Sequence, residues 1–558
     1  PKNIKTNLSY KKFSKILKII FYKKIKRKIR YRKRYTWIAR KIKLTEKQVI
    51  QIKKIKGIYI ESVPKRFYPN ETLLAQTLGF VGIDNGGLSG LEFLYDKKLK
   101  GRAKVIKYIK DAKGRAIKFE SRNIRASGER IILTIDKEIQ SFAENQLKKA
   151  VLKHKANGGG LGVIDVKTGE ILALANYPTF NPNNLKRSHS SNRKLSFISD
   201  PIEPGSTFKI FTVASALDNE IANKDTNYYC ERGKLEVQGH IINEAESKNK
   251  YEWLSVGDII KLSSNVGTTK LAFDITYPKL KTTLLKFGIG EKTGIEIPGE
   301  SRGIFNNKVN ISPIKLSNIS FGQGIATTGI QMLSAYAAIA NNGIYVSPTI
   351  ILNNKNKKKS KRVLSEKNAK ILQEMLLTAV ENGTGKKAKI KHFLIAGKTS
   401  TAQRPSRKGG YKGHVPGFIG FPLNVSNRFA IYVYIDNPKG KYYYGNLVAA
   451  PVFKEVAQFM LYRDKKYFKF AKNSKKDDSL KVIDTVGLIQ SAKSAVFNGK
   501  VPNLIGLDKK SAKFLLTKLG INYYVKGIGI VRKQRPLPGS LIKKDSIVEL
   551  TFLPPVYE

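Results

Sequence analysis

The alternation of apolar and polar residues changes period along the chain, and its central part carries the clearest pattern. Glu129–Asp136 reads as a strand, and Ile139–Lys153 repeats apolar residues at helical spacing. Gly160–Val166 and Glu170–Tyr177 are apolar runs separated by Lys167-Thr168-Gly169, which predicts a β-hairpin. From Phe208 to Ala340 the pattern predicts mostly helices and loops. Phe393–Ala396, Gly417–Pro422 and Phe429–Ile435 predict three more strands, and Pro451–Leu461 a closing helix. Two strands, a helical middle, three strands and a last helix predict an α/β fold of the α+β type. Its centre is a five-stranded antiparallel sheet flanked by helices.

The flanks are smaller and differently patterned. Pro1–Arg40 is basic with little periodicity, and Leu44–Ile55 predicts a short helix with Thr45 as its N-cap. Ile58–Gly101 mixes strand-like and loop-like pieces, and Arg102–Arg125 predicts a hairpin. Tyr462–Asn498 is a polar, Lys-rich linker. Val501–Phe552 forms a separate unit, with a helix near Ser511–Leu519 and two strands around the turn Pro536–Gly539. The chain has no run of about 18 apolar residues, so no membrane-spanning helix is predicted.

Charge is the outlier of the composition, with 103 Lys+Arg against 42 Asp+Glu and a formal net charge of +61. Such an excess suits a polyanionic partner, a membrane surface or an anionic wall. Lys, Ile and Asn are also heavy in probable loops such as Asn353–Lys361, so compositional bias explains much of it. Neither zinc spacing nor an RNP pattern is present, which argues against a nucleic-acid partner. Cys230 is the only cysteine, and His154, His189, His240, His392 and His414 are scattered, so no metal is expected. No cofactor motif is present either. Gly397-Lys398-Thr399 resembles the end of a P-loop, but His392 stands where that loop needs a glycine.

Three short motifs carry chemistry together. Ser206-Thr207-Phe208-Lys209 follows the turn Glu203-Pro204-Gly205 and opens the apolar run Phe208–Leu217. That places Ser206 at a helix N-terminus with Lys209 one turn on, on the same face. A serine needs a neighbouring base, and a lysine serves only when neutral. The same spacing recurs at Ser9, Ser191 and Ser247 without that context. Ser263-Ser264-Asn265 follows the helical run Leu254–Leu262 and supplies a hydroxyl and an amide; Ser190-Ser191-Asn192 matches as well. Lys398-Thr399-Ser400-Thr401 stands at the end of the strand Phe393–Ala396, where a lysine with hydroxyls beside it docks a carboxylate. Ser263 lies 57 residues after Ser206, and Lys398 a further 135 on. This is the order and spacing of penicillin-binding serine enzymes.

With those motifs in place, the chain resembles the class B penicillin-binding proteins, monofunctional transpeptidases of bacterial wall synthesis. Glu203–Lys209, Leu262–Gly267, Ser320–Gly343, Ala396–Gln403 and Tyr443–Lys454 are similar to segments of that family, and Arg66–Gly101 to its non-catalytic pedestal. Val501–Phe552 resembles a PASTA module. The resemblance implies a partial pedestal of the dimerisation type at 1–128, with the basic N-terminal segment. A transpeptidase domain at 129–462, a linker at 463–500 and a PASTA domain at 501–553 follow. It implies acylation of Ser206 by peptidoglycan stem peptides or β-lactam antibiotics, with neutral Lys209 as base and Ser263 relaying a proton to the leaving D-alanine. Asn265, Lys398, Thr399 and Thr401 bind substrate, and the backbone N–H groups of Ser206 and Thr401 form the oxyanion hole. It further implies a membrane anchor before Pro1, a catalytic domain outside the cytoplasm, a septal role, and a membrane glycan polymerase and division proteins as partners. A β-lactam-hydrolysing enzyme and a wall-binding scaffold are the competing readings. The pedestal and PASTA segments weigh against the first, and the intact motif residues against the second.

Ser400 departs from the family's pattern, which has glycine there. Residues two apart on a strand share a face. Ser400 is therefore expected beside Lys398, where it narrows the cleft and slows bulky β-lactams. The same rule turns Thr399 and Thr401 away, against the role given to their hydroxyls.

Overall fold

The computed structural model describes residues 37–40, 42–55, 58–61, 63, 65–101, 107–112, 116–120, 128–246, 248–305, 310–353, 360–405, 410–440, 442–463, 500–527, 530–541 and 547–553. Most of the basic segment Pro1–Arg40, of the loop Asn353–Lys361 and of the expected linker lies outside the described residues. The chain divides into two compact units, Pro1–Ile131 with Asn181–Ser188, and Ile132–Phe180 with His189–Glu558.

In the first unit, helix α1 (Glu46–Lys53) starts with a capping box. Thr45 Oγ1 accepts the Gln48 N–H at 3.3 Å, and the Gln48 side chain accepts the Thr45 N–H at 2.9 Å, so two otherwise unpaired donors are satisfied. Strands β1 (Lys107–Lys110) and β2 (Ala116–Glu120) form an antiparallel hairpin. Within Ile58–Gly101 no strand forms among the described residues. Short helices at Ala75–Leu78, Gly90–Leu94 and Asp96–Leu99 and the lone bridge Val81–Gly87 stand there instead. Gly79, at φ +78°, explains part of the difference: a side chain there would overlap the Ser89 carbonyl, so the chain folds tightly back instead of extending.

The second unit is built on helix α2 (Lys137–Lys153) and the hairpin β3 (Gly158–Asp165) and β4 (Ile171–Tyr177). The strand expected at Glu129–Asp136 is an extended segment with a single bridge, Leu133 to Ile351. It stops at Asp136, whose carboxylate accepts the N–H groups of Glu138 and Ile139 and starts α2. The helical middle holds α3 (Lys209–Asp218), α4 (Val256–Leu262), α5 (Asn265–Ile275), α6 (Gly329–Ala340) and α7 (Glu366–Glu381). It also carries two short ribbons, Asn227–Tyr229 with Trp253–Ser255 and Lys234–Val237 with His240–Asn243, where helices and loops were expected.

Strands β5 (Ile395–Pro405), β6 (Tyr411–Pro422) and β7 (Phe429–Asp436) complete a five-stranded antiparallel sheet in the order β5-β6-β7-β3-β4. One face packs on α2 and the closing helix α8 (Ala450–Arg463). Phe429, Ile431, Val433 and Ile435 of β7 meet the two helices there, and Phe142 stacks on Phe459 at 4.3 Å. The alternate residues Tyr432 and Tyr434 face Phe197 on the other side. Strand β5 outruns its expected end at Ala396. Pairing with β6 continues from Ile395–Pro422 to Pro405–Tyr411, so the polar Lys398–Thr401 lies inside the strand.

At the end of the chain, helix α9 (Lys509–Lys518) precedes β8 (Asn522–Gly527), β9 (Ile530–Arg535) and β10 (Ile547–Leu553). β10 lies between the others, parallel to β8 and antiparallel to β9. β8 is a strand beyond the two expected. Leu504, Leu516, Val531 and Val548 form the small core. The buried Gln534 side chain accepts the Leu504 N–H and donates to the Pro502 carbonyl.

Candidate active site

Ser206 sits in a 3₁₀ turn, Gly205–Thr207, that runs into α3. Gly205 takes φ +55°, and a Cβ there would lie 3.2 Å from that of Ala402, so glycine lets the turn abut β5. The turn is held from behind: the Tyr336 hydroxyl donates to the Thr207 carbonyl at 2.7 Å, and Thr207 Oγ1 to the Pro204 carbonyl at 2.7 Å. The Ser206 side chain is half-buried, and no hydrogen bond ties its hydroxyl among the described residues.

α3 is apolar around most of its circumference and is enclosed, which carries Lys209 inside with it at 0% exposure. Its Nζ donates to the Ser263 carbonyl at 2.5 Å and to Asn265 Oδ1 at 2.8 Å, with Ser263 Oγ at 3.3 Å. Burial pushes the Lys209 pKa down to about 7, against the pull of the Glu244 carboxylate. A lysine in this state has a sizeable neutral fraction at neutral pH.

Ser263 takes φ +63°, a left-handed conformation unfavourable for a residue with a side chain. There the chain leaves α4 and reverses into α5, whose N-cap is Ser264. Glu244 holds the reversal. Its carboxylate accepts the Ser264 hydroxyl at 2.5 Å and the Asn265 N–H at 2.6 Å, and Asn265 Nδ2 donates to the Asn243 carbonyl at 2.8 Å. Glu244 is not legible as a site residue in the sequence. It belongs to no motif, and its proximity to α5 depends on a hairpin closing.

Lys398 approaches from β5. Its Nζ donates to Ser263 Oγ at 2.9 Å, and it is 1% exposed. Burial, and then the charge of Lys209, hold its pKa well below the ordinary lysine range. The structure therefore brings Lys209, Ser263, Asn265 and Lys398 into one hydrogen-bonded cluster. The hydroxyls of Thr399 and Thr401 are not in it. Thr399 bonds Thr384 Oγ1 at 3.1 Å, and Thr401 Oγ1 accepts the Gly445 N–H at 3.1 Å. Ser400 shares the face of Lys398, as alternation requires, but it is 3% exposed.

A second carboxylate, that of Glu203, read in the sequence only as part of the turn before Ser206, holds that turn from the other side. Glu203 Oε1 accepts the Gly324 N–H at 3.0 Å and the Tyr411 hydroxyl at 3.2 Å, and burial raises its pKa. It ties the approach to Ser206 to the start of β6. Ser206 is not bonded into the lysine cluster among the described residues. Together they suit acyl transfer: an untethered hydroxyl on a turn against an edge strand, a lysine that can lose its proton near pH 7, and a second hydroxyl between two amines.

Comparison with known proteins points the same way. The family model "Penicillin binding protein transpeptidase domain" matches residues 159–458, "Penicillin-binding Protein dimerisation domain" 2–133 and "PASTA domain" 499–553. The chain is similar to Stage V sporulation protein D of Bacillus subtilis, 32% identical over 92% of this chain and 79% of that one. It is similar to Peptidoglycan D,D-transpeptidase FtsI of Escherichia coli, 32% identical over 75% of this chain and 71% of that one. Among solved structures it resembles penicillin binding protein 3 from Mycobacterium tuberculosis complexed with aztreonam. There the TM-score is 0.63 and the identity 28%, covering 72% of this chain and 91% of that chain.

Proposed function

We propose, for a chain that belongs to the class B penicillin-binding proteins, that peptidoglycan cross-linking runs through Ser206 with the cluster described above. The protein is a serine-type peptidoglycan D,D-transpeptidase that binds β-lactams. Ser206 Oγ attacks the carbonyl between the two terminal D-alanines of a stem peptide, and neutral Lys209 takes its proton. The oxyanion is held by the backbone N–H groups of Ser206 and of Thr401, on the edge strand. Ser263 then passes a proton to the departing D-alanine amine, with Lys209 and Lys398 on either side of its hydroxyl. Asn265 orients the peptide, and Lys398 docks the terminal carboxylate. The Thr399 and Thr401 hydroxyls join it only by leaving Thr384 and Gly445. An amine of a neighbouring stem peptide completes the transfer.

The observation that carries this reading is the enclosure of Lys209, 0% exposed and bonded to both Ser263 and Asn265. Mass spectrometry after exposure to penicillin tests it. The adduct is expected on the peptide that contains Ser206, and an adduct elsewhere overturns the assignment.

We place this activity at the division septum, outside the cytoplasm at the membrane, with a membrane glycan polymerase and division proteins as partners. No helix among those residues is long and apolar enough to cross a membrane. A role in spore wall synthesis is the second reading, favoured by the long match to a sporulation protein. Fluorescence of the tagged protein in its own cells separates them: signal at every vegetative septum supports division, and signal confined to sporulating cells supports the other.

A further inference from the structure

Ser400 stands where the family's pattern has glycine, yet its side chain does not lie where a narrowed cleft requires. β5 is an edge strand. Along it Lys398 reaches Ser263, and Ala402 abuts the turn that bears Ser206. Across the ladder to β6, Ser400 pairs with Gly417. A Cβ built on Gly417 would lie 2.7 Å from Ser400 Oγ. Opposed residues ordinarily keep their Cβ atoms about 4.5–5.5 Å apart. The Ser400 hydroxyl therefore leans over Gly417, toward β6 and away from the free edge. The other face is closed, since a Cβ on Gly445 would overlap the carbonyl oxygens of both Ser400 and Gly417. The 3% exposure of Ser400 agrees with a side chain folded into the sheet surface.

We infer that Ser400 and Gly417 are a compensating pair, in which the space glycine would leave at position 400 is supplied from the neighbouring strand. The Ser400 hydroxymethyl is lodged over Gly417, and the substrate edge of β5 stays open. This rests on the reading above that Lys398 and the Thr401 N–H, both on the edge strand β5, meet the stem peptide. A serine side chain has three staggered positions. A methyl at 417 removes the one in use and turns Oγ toward the free edge or straight out of the sheet. That rotation is easy, because the hydroxyl has no hydrogen-bond partner among the described residues to lose.

Second-order acylation rates with a small penicillin and a bulky cephalosporin test the pair in wild type, Ser400→Gly, Gly417→Ala and the double variant. Ser400→Gly should stay close to wild type with both compounds. Gly417→Ala should slow acylation by roughly tenfold or more, most with the bulky compound, because small misplacements cost about 10²-fold in positioned reactions. The double variant should return close to wild type. Thermal melts of the same four proteins read the pair independently of acylation: Ser400→Gly should recover stability lost in Gly417→Ala. Three results overturn the inference: selective acceleration of the bulky compound by Ser400→Gly, a Gly417→Ala protein that acylates like wild type, or a double variant no better than Gly417→Ala in rate and melt. A wild type that acylates away from Ser206 defeats the functional reading instead, and the melts still decide the pair.

Discussion

Lys209 and Lys398 converge on one hydroxyl: their Nζ atoms lie 3.3 and 2.9 Å from Ser263 Oγ. They reach it from different elements, α3 and β5, and both are enclosed by the time they arrive. Two full cations in so dry a space repel each other and lose hydration. Burial lowers both pKa values, and for Lys398 the charge of Lys209 adds to it. A neutral amine on the Ser263 hydroxyl thus follows from where the two side chains are buried, with no carboxylate base required.

Acylation should therefore depend on pH with a defined sign. Below the Lys209 pKa of about 7 the amine holds its proton and cannot act as base; above it the proton is gone. The rate of β-lactam acylation should rise through that pH and level off above it. Stopped-flow rates on either side of neutrality check this, and a flat profile removes Lys209 from the role of base.

Lys209→Arg should acylate poorly while keeping the charge. A guanidinium does not deprotonate in a protein, so it offers no base. The loss should fall within the roughly 10²–10⁴-fold worth of general-base catalysis. A fall of less than about tenfold in the labelling rate, against that range, would point to a different base.

Glu244→Gln should separate holding from charge. Glutamine keeps one acceptor for the Ser264 hydroxyl or the Asn265 N–H but loses the negative charge and the paired grip. The charged hydrogen bonds lost should cost roughly 1.5–3 kcal/mol in a thermal melt. The Glu244 carboxylate favours the protonated form of Lys209, so its removal should move the acid limb of the acylation profile to lower pH. An unmoved limb with a lowered melting temperature would make Glu244 a structural support and nothing more.

How much of this was legible in sequence depends on the range of the interactions. The hairpin β3–β4, the helix α2 and the strand β7 were legible because each shows its own periodicity. The length of β5 was not, since Lys398–Thr401 is polar and only its pairing with β6 keeps it extended. The motif residues Lys209, Ser263, Asn265 and Lys398 stood out by order and spacing along the chain. Glu244 and Gly417 stayed hidden because each matters through one distant neighbour, Ser264 and Ser400 respectively. Glu129–Asp136 misled for the opposite reason: its alternation is strand-like, but only Leu133 finds a bridging partner.

The end of the catalytic core is set by an ion pair. Arg463, in the last turn of α8, donates to both carboxylate oxygens of Asp136, at 2.7 and 2.6 Å. Asp136 is also the N-cap of α2, so this contact joins the first and last helices of the second unit's core. The two side chains are 19% and 32% exposed, so the pair is partly screened and its worth is about 1 kcal/mol. Two truncations should therefore differ. A chain ending after Arg463 should keep wild-type acylation by penicillin, because Val501–Phe552 has its own core and offers no nucleophile with a base. A chain ending after Tyr462 should acylate at a similar rate but melt lower, by the few degrees that about 1 kcal/mol gives a domain of this size. Rates by fluorescent penicillin labelling and melts by circular dichroism decide both. If acylation collapsed in the chain ending after Arg463 while its melt held, residues after Arg463 would have to reach the Ser206 cleft.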